Sequence, residues 1–413
     1  MPFSLLKHGL FGRQVPRRII PPAAPLKSTY DVVIIGAGAH GLAAAYYLAK
    51  DHGVTDVAVL DKGYLGGGNT GRNTAIIRAN YLTPEGVRFY AEALELWRGL
   101  SNEFGFNILY SERGHLTLAH SDSAMRTMRW RAEVNKHLGV NSEVVFPDEI
   151  ERMAPGIDIS PNTRYPILGA LHHPPGATAR HDAVAWGYAA GACERGVELH
   201  MNTEVLDVLQ SNGRVTGVET NRGRIRCRQA LQAVAGSSSV VAAMAGFRLP
   251  IHTVPLQACV SLPLKPFLDP IIVSGSLHTY IWQTSRGELV IGGATDPYGL
   301  YASRSSLEFK EGLMANTLEL FPFLSEVTVL RQWAGICDMT PDFSPVMGET
   351  PLENYYIDSG WGTWGFKATP VCGRRMAETL ATGRVPEILR PFRLSRFAEF
   401  EQVGEKGAAS VGH

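Results

Sequence analysis

Three glycines and a carboxylate near the start of the chain have the spacing of a dinucleotide-binding site. Gly36, Gly38 and Gly41 follow an apolar run, and Asp61 comes twenty residues after the last of them. Glycines so placed allow a tight turn and let the backbone approach a pyrophosphate, which the next helix attracts. Asp61 can accept a hydrogen bond from a ribose hydroxyl. The pattern predicts a bound dinucleotide; the alternative is a glycine-rich turn without ligand.

A second glycine-rich segment, residues 62–73, follows directly. Such a loop can wrap further phosphate and approach a flat ring closely. The segment favours a large, permanently held cofactor such as FAD over NAD. The alternative is a flexible surface loop.

The elements that position these residues can be predicted from apolar periodicity. Residues 30–36 and 56–61 are typical of buried strands, and residues 42–50 between them of a helix, which together form a βαβ unit. Asn212-Gly213 and Asn221 to Gly223 indicate hairpin turns. Further helices are predicted at about 84–104, 121–138, 147–153, 181–195, 307–320 and 370–382, and strands within 107–120, 197–201 and 355–358.

These elements predict an α/β fold: a Rossmann-like FAD-binding domain with an inserted, sheet-rich substrate domain. The start and the end of the chain both look like parts of the FAD-binding domain. The FAD-binding domain is assigned to 30–90, 150–245 and 335–395, the substrate domain to 91–149 and 246–334, an N-terminal arm to 1–29 and a C-terminal tail to 396–413.

Composition excludes several classes of protein. The 413 residues carry 39 Lys+Arg and 39 Asp+Glu, a balance that argues against a general nucleic-acid binder. The five cysteines include no CxxC pair, so a disulfide framework or zinc site is not expected and a reducing, cytoplasmic location is. No apolar stretch approaches the roughly 20 residues of a membrane span. Residues 1–29 are basic but rich in proline, which fits a transit peptide poorly, so we expect an ordered arm.

Long segments of the chain resemble FAD-dependent amine oxidases of the D-amino-acid oxidase and monomeric sarcosine oxidase group. The resemblance is closer still to the beta subunits of heterotetrameric sarcosine oxidases, and it runs from about Leu5 to the C-terminus. The matching segments are 62–73, 162–170, 179–187, 331–333 and 360–370. The resemblance implies a D-amino-acid oxidase-like fold with non-covalent FAD and a second, covalent flavin, FMN.

The resemblance also implies a reaction and partners. Sarcosine would be demethylated to glycine as a hydride passes from its N-methyl group to FAD, and electrons would move on to FMN and oxygen, giving hydrogen peroxide. The one-carbon unit would go to tetrahydrofolate on an alpha subunit or leave as formaldehyde. Alpha, gamma and delta subunits are implied as partners, with NAD and zinc held only by those subunits. No nucleic acid or membrane partner is expected.

The resemblance assigns roles to individual residues. Arg78 and Lys367 match the arginine and lysine that bind the substrate carboxylate. His181 matches the histidine joined to FMN, although spacing alone leaves His172 and His173 open. The other expected cofactor-binding residues are Gly36, Gly38, Ala39, His40, Gly41, Asp61, Lys62, Asn69, Thr70, Arg72, Asn73, Val205, Gly360, Gly362, Gly365 and Phe366, together with Lys367.

Three residues depart from the pattern. Ala75 stands where the monomeric oxidases carry an arginine, and Trp364 where the beta subunits usually have glycine. Cys337 lies near the position where monomeric oxidases attach FAD, so covalent FAD there is an alternative. Two rival functions remain: a dehydrogenase or oxidase subunit for another N-methyl amino acid such as N-methylglutamate, and a non-catalytic, flavin-holding scaffold. No general base is evident from the sequence.

Overall fold

A computed structural model describes Gly9, residues 20–22 and residues 24–405 of the chain. Most of the predicted N-terminal arm and the last eight residues of the predicted tail lie outside the described residues. The helices are α1 Ala39–His52, α2 Pro84–Phe104, α3 Asp122–His137, α4 Pro147–Met153, α5 His181–Glu194, α6 Ser238–Met244, α7 Leu307–Leu320 and α8 Gly365–Thr382. Among the described residues, no helix is long and apolar enough to cross a membrane.

The strands fall into three sheets. They are β1 Thr29–Ile35, β2 Val57–Leu60, β3 Ile76–Ile77, β4 Ser111–Glu112, β5 His115–Ala119, β6 Glu143–Val145, β7 Gly169–His173, β8 Ala177–Thr178, β9 Glu198–His200, β10 Val205–Ser211, β11 Arg214–Thr220, β12 Gly223–Gln232, β13 His252–Ser261, β14 Ile271–Ser274, β15 Thr279–Gln283, β16 Leu289–Thr295, β17 Val329–Met339, β18 Val346–Glu349 and β19 Tyr355–Ser359. Short 3₁₀ turns cover Asn69–Arg72, Ala235–Ser237, Pro322–Glu326, Glu387–Phe392 and Leu394–Phe397.

The first sheet has the order β10-β11-β12-β1-β2-β9, with β19 pairing with both β12 and β18. β1 is parallel to β2 and to β12, and β12 is parallel to β19. Val32 and Ile34 of β1 belong to one apolar cluster and Val33 and Ile35 to another. The strand is therefore buried on both faces, as its unbroken apolar sequence predicts.

The two ends of the chain meet through the packing of α1 against α8. A Cβ on Gly373 of α8 would lie 2.3 Å from the Cβ of Ala43 in α1, so the two helices approach closely. The predicted start of α8 is wrong: the helix begins at Gly365, and Pro370 lies inside it. Proline is common in a first turn, which suggested a start there, but the helix begins five residues earlier. Lys367 is thereby in the first turn.

The second sheet has the order β17-β13-β16-β15-β14-β5-β7-β6, and a small sheet β3-β8-β4 lies apart from it. β7 pairs with β5 and β6 in the second sheet, although it lies within 150–245, which the sequence assigns to the FAD-binding domain. β17 crosses the predicted boundary at 334–335. The exact division into domains therefore stays a prediction, while the α/β class with an inserted sheet is confirmed.

Candidate active site

A cavity of about 560 Å³ opens beyond the carboxyl ends of β1 and β2. Parallel sheets commonly bind ligands at this edge. The predicted cofactor-binding residues that line it are Gly36, Gly38, Ala39, His40, Asp61, Lys62, Asn69, Thr70, Arg72, Asn73, Val205, Gly362, Gly365 and Phe366. Gly41 and Gly360 do not line the cavity, and Arg78, Lys367 and His181 lie elsewhere. The structure thus brings most of the predicted cofactor residues to one site.

The three glycines of the first motif are needed for different physical reasons. A Cβ on Gly36, where φ is +110°, would lie 2.3 Å from the carbonyl oxygen of Ala233. A Cβ on Gly41 would lie 2.1 Å from the carbonyl oxygen of Gly36. Packing therefore requires both glycines. A Cβ on Gly38 would meet only the Thr70 hydroxyl, at 3.4 Å. The bare backbone of Gly38 instead faces the cavity, where it suits the close approach of a pyrophosphate.

Asp61 holds the local backbone in place and also faces the cavity, where it could bind a ligand. Its Oδ2 accepts from the backbone N–H of Ala37 at 2.8 Å, and its Oδ1 accepts from the backbone N–H of Gly63 at 2.8 Å. Each carboxylate oxygen has a further lone pair. The fixed carboxylate lines the cavity and can still accept from a ribose hydroxyl, so the residues at this end fit an adenosine dinucleotide.

The second glycine loop is held firmly against β17. The side chain of Asn69 donates to the carbonyl of Ile336 at 2.6 Å and accepts from its N–H at 2.9 Å. The indole N–H of Trp333 donates to the carbonyl of Arg72 at 2.7 Å. The guanidinium of Arg72 donates in turn to the carbonyls of Gly67 and Gly68. These contacts argue against a flexible surface loop.

A charged pair lies under the cavity where α1 meets α8. The two ring nitrogens of His40 face Asp358, at 3.1 Å, and the carbonyl of Gly365, at 2.7 Å. Both partners are acceptors, so only the protonated imidazole satisfies both. Burial alone would lower the pKa of His40, but the Asp358 carboxylate and the Gly365 carbonyl raise it above 6.5. Asp358 also accepts from the indole of Trp361, which fixes the pair.

Asp338 also lines this cavity and is absent from the predicted site. Its Oδ2 accepts from the N–H of Gly360 at 2.6 Å, while its Oδ1 has no partner among the described residues. Burial raises the pKa of Asp338 to about 6. The sequence signal that could have identified Asp338 is an acidic residue within the apolar run of β17, because a buried carboxyl group needs a polar partner. Asp338 is therefore a polar group that a bound cofactor could satisfy.

A second cavity of about 80 Å³ adjoins the first and shares Asn73, Thr74 and Tyr280 with it. Arg78 and Lys367 both line this cavity and are 6% and 7% exposed. None of its lining residues is acidic. The cavity is therefore rich in positive charge and suited to a carboxylate.

Arg78 is held in place by its neighbours, and its charge in turn affects Lys367. Arg78 Nη1 donates to the backbone and side-chain oxygens of Asn80, both at 3.0 Å, and its guanidinium lies 4.5 Å from the ring centre of Tyr81. Burial, and then the charge of Arg78, hold the pKa of Lys367 well below 10.5. Trp364 lines the same cavity and limits its size.

His181 lies outside both cavities, at the start of α5. The neighbouring Asp182 carboxylate receives two hydrogen bonds from Arg180, at 2.8 and 2.9 Å. Burial lowers the pKa of His181, which leaves a neutral, nucleophilic ring. Helix α5 packs against the second glycine loop, where a Cβ on Gly66 would lie 3.6 Å from that of Ala185.

His172 and His173, the other two histidines considered for flavin attachment, make hydrogen-bond contacts with other residues. His173 is buried, with its ring nitrogens facing the carbonyl of Asn141 at 2.7 Å and the N–H of Ala79 at 3.2 Å. His172 Nδ1 lies 3.0 Å from Glu143. Cys337 lines the first cavity, but burial raises the pKa of its thiol and disfavours the reactive thiolate.

The chain is similar to known flavoproteins over nearly its whole length. The FAD dependent oxidoreductase family matches residues 31–379. The sarcosine oxidase beta subunit of Rhodobacter capsulatus is 47% identical over 387 residues, 94% of this chain and 93% of that protein. The sarcosine oxidase beta subunit of Rhizobium meliloti is 46% identical over 406 residues, 98% of this chain and 97% of that protein.

A solved structure gives the same result for the fold. L-proline dehydrogenase from P. horikoshii superimposes with a TM-score of 0.86 at 29% identity, covering 91% of this chain and 100% of that one. The fold of this chain thus agrees with that of the solved structure. The chain therefore belongs to the FAD-dependent oxidoreductase family, in which it groups with the beta subunits of sarcosine oxidase.

Proposed function

We propose that this chain is the catalytic subunit of a flavin-dependent enzyme that oxidises sarcosine to glycine. The observation that carries the proposal is the pair of buried cations, Arg78 and Lys367, in a small cavity that adjoins the cofactor cavity and has no acidic lining residue. Two basic side chains buried in one small cavity favour the binding of an anion there. The carboxylate of an amino acid supplies that anion.

FAD is the cofactor that the first cavity suits best, and when bound it supplies the acceptor for a hydride. Gly38 and the start of α1 would face its pyrophosphate, Asp61 its ribose, and the backbone near Val205 its adenine. Cys337 is not needed for attachment, so the FAD is non-covalent in this proposal. The residues of this chain then act on the substrate by holding it in one orientation, which is a large part of such catalysis.

Cavity size favours sarcosine over a larger N-methyl amino acid. The small cavity measures about 80 Å³, against about 560 Å³ for the cofactor cavity, so it suits a small substrate. Sarcosine has six non-hydrogen atoms and N-methylglutamate has eleven. Trp364 lines the cavity and occupies space that a longer side chain would need. With the carboxylate between Arg78 and Lys367, the amine would point toward the shared lining residues and the cofactor.

Anaerobic flavin reduction by a panel of amines tests this proposal. Sarcosine should reduce the bound flavin of the purified complex, and N-methylglutamate should do so at least a hundredfold more slowly. Substituting Trp364→Gly should narrow that gap, because it enlarges the cavity. If N-methylglutamate reduces the flavin and sarcosine does not, N-methylglutamate is the substrate class and the proposal for sarcosine is wrong. A flavin that no secondary amine reduces would identify a non-catalytic scaffold and overturn the proposal.

We further propose that His181 would hold a covalent FMN, which when bound would supply a route for electrons from the FAD side to oxygen, with formation of hydrogen peroxide. Support comes from a neutral ring with no hydrogen-bond partner among the described residues, while His172 and His173 are engaged. Partner subunits fit this proposal, because the relatives are named as beta subunits. An alpha subunit with tetrahydrofolate, and gamma and delta subunits, belong to the same proposal.

Acid precipitation and mass spectrometry test the covalent link. FMN should stay on this chain in the wild-type complex and be lost in His181→Ala, while extractable FAD stays in both. His137→Ala, at the exposed end of α3, is the matched control. Fully extractable flavin in the wild type would overturn the His181 link and leave a single-FAD dehydrogenase. Covalent flavin surviving in His181→Ala would place the attachment elsewhere.

A further inference from the structure

His115 faces the same small cavity as Arg78 and Lys367, and no prediction from the sequence included it. It is the first residue of β5 and is 1% exposed. Its strand is held on both sides, because His115 pairs with His173 of β7 and with Ile271 of β14. The position of the ring is therefore set by the second sheet.

Gly176 makes the space that His115 occupies. A Cβ on Gly176 would lie 2.4 Å from the Cβ of His115, so any other residue there would displace the histidine. Nδ1 of His115 lies 3.5 Å from the Thr117 hydroxyl, and its Nε2 has no hydrogen-bond partner among the residues that the structure describes. One ring nitrogen is thus available to a molecule in the cavity.

The electrostatic setting keeps this imidazole neutral. Burial, and then the charges of Arg78, His173, Lys367 and Arg131, hold the pKa of His115 well below 6.5. These four groups come from the β3 side, from β7, from α8 and from α3, and each would disfavour a proton on His115. A neutral imidazole accepts a proton or a hydrogen bond. The same positive charges disfavour an ammonium group in the cavity.

We propose that His115 takes the proton of the substrate ammonium when the amino acid binds, so that a neutral amine faces the cofactor. This inference rests on the proposed oxidation of a small amino acid. The N–H bond of the ammonium breaks and an Nε2–H bond of His115 forms, with no change in oxidation state. The substrate carboxylate, lying between Arg78 and Lys367, offsets the positive charge and makes the imidazolium tolerable. The proton returns to solvent before the next turnover.

The pH dependence of anaerobic flavin reduction tests the proposal. The wild type should bind the zwitterion, so its kcat/KM for sarcosine should change little from pH 7.5 to 9.5. His115→Asn should be about 300-fold slower at pH 7.5, since only about one substrate molecule in 300 carries a neutral amine there when the amine pKa is about 10. Its deficit should shrink about tenfold per pH unit. His137→Asn, on the surface at the end of α3, should match the wild type.

Acetate, a carboxylate without an amine, separates proton transfer from a structural role. Its binding, followed by the flavin spectrum, should be unchanged within about twofold in His115→Asn, because Arg78 and Lys367 remain. His115→Gln, which keeps a polar side chain of similar length, serves if His115→Asn does not retain FAD. A deficit that is constant with pH would overturn the proposal, as would a more than tenfold loss of acetate binding in both variants. If the wild type itself is reduced by no secondary amine, the proposed function fails first.

Discussion

The two adjoining cavities are built in different ways. The dinucleotide end of the large one comes from residues of one βαβ unit, such as Gly36, Gly38 and Asp61. The small one has titratable side chains from separate elements: Arg78 beyond β3, His115 on β5 and Lys367 on α8. Backbone suits a cofactor that many proteins share, whereas side chains set the choice of substrate. Substitutions in the two cavities should therefore affect different measurements.

Arg78→Met should give the largest effect, and only on the substrate. Removing one buried, charge-assisted partner of a carboxylate costs about 2–5 kcal/mol. We expect kcat/KM for sarcosine to fall about a thousandfold, at 4 kcal/mol, while the FAD content stays at the wild-type level. Arg88→Met, an exposed arginine on α2, is the matched control. Loss of FAD in Arg78→Met would show that the two cavities are not independent.

Gly38→Ala should give the opposite pattern. The added methyl group meets only the Thr70 hydroxyl, at 3.4 Å, so the fold should tolerate it. It enters the space where the pyrophosphate is expected, so the affinity for FAD should fall about 10- to 100-fold, or about 1.4–2.7 kcal/mol. Equilibrium dialysis with FAD, together with the Tm of the FAD-free protein, measures both effects.

Two further glycine substitutions show whether Gly38 acts through the cofactor. Gly41→Ala should fail to fold properly, because its Cβ would lie 2.1 Å from a backbone oxygen. Gly99→Ala, with nothing within 4 Å, should leave both FAD affinity and Tm unchanged. Unchanged FAD affinity in Gly38→Ala would contradict the placement of the pyrophosphate at the start of α1.

Asn69→Ala should give a smaller effect on the cofactor. It removes both hydrogen bonds to Ile336 and frees the second glycine loop from β17. Each such bond contributes about 0.5–1.5 kcal/mol, so FAD affinity should fall about tenfold. Asn102→Ala, near the exposed end of α2, is the control. If Asn69→Ala binds FAD normally, the loop is held by Arg72 and Trp333 alone.

The same contrast explains what could be predicted from the sequence. Gly36, Gly38, Gly41 and Asp61 lie within one βαβ unit, so local spacing was sufficient to place them. Arg78 and Lys367 are 289 positions apart, and only resemblance to a family could pair them. The packing of α1 on α8 and the register of the second sheet bring such distant residues together, and neither can be read from periodicity.

His115 shows the limit most clearly. In sequence it is one histidine among 13, in a strand with buried residues on either side, and nothing nearby suggests a role. Its position depends on two strand pairings and on Gly176, which is 61 residues away. The sequence carried more signal for Asp338 and Asp358. Both are acidic residues in apolar strands, and such residues indicate a buried polar partner.

The smallest expected effect is on the pH dependence of stability. A residue of the large cavity and a residue of the small cavity should change it in opposite directions. The pKa of His40 is raised above 6.5, so its contribution to stability is complete below pH 6.5 and is lost as the pH rises through the raised pKa. The pKa of Lys367 is lowered, so the unfolded chain binds more protons and stability rises with pH up to about 10.5. Each slope is at most about 1.4 kcal/mol per pH unit.

Tm values of the FAD-free protein at pH 7, 8 and 9 separate the two contributions. The Tm difference between the wild type and His40→Gln should fall with pH, and that between the wild type and Lys367→Met should rise. Subtracting the Tm of each variant from that of the wild type at the same pH removes the effect of all other titrating groups, because both proteins share them. A shift of about 1 kcal/mol corresponds to roughly 1–3 °C in a chain of this size. Slopes of the same sign would contradict the contrast, because they would mean that both cavities hold charge in the same way.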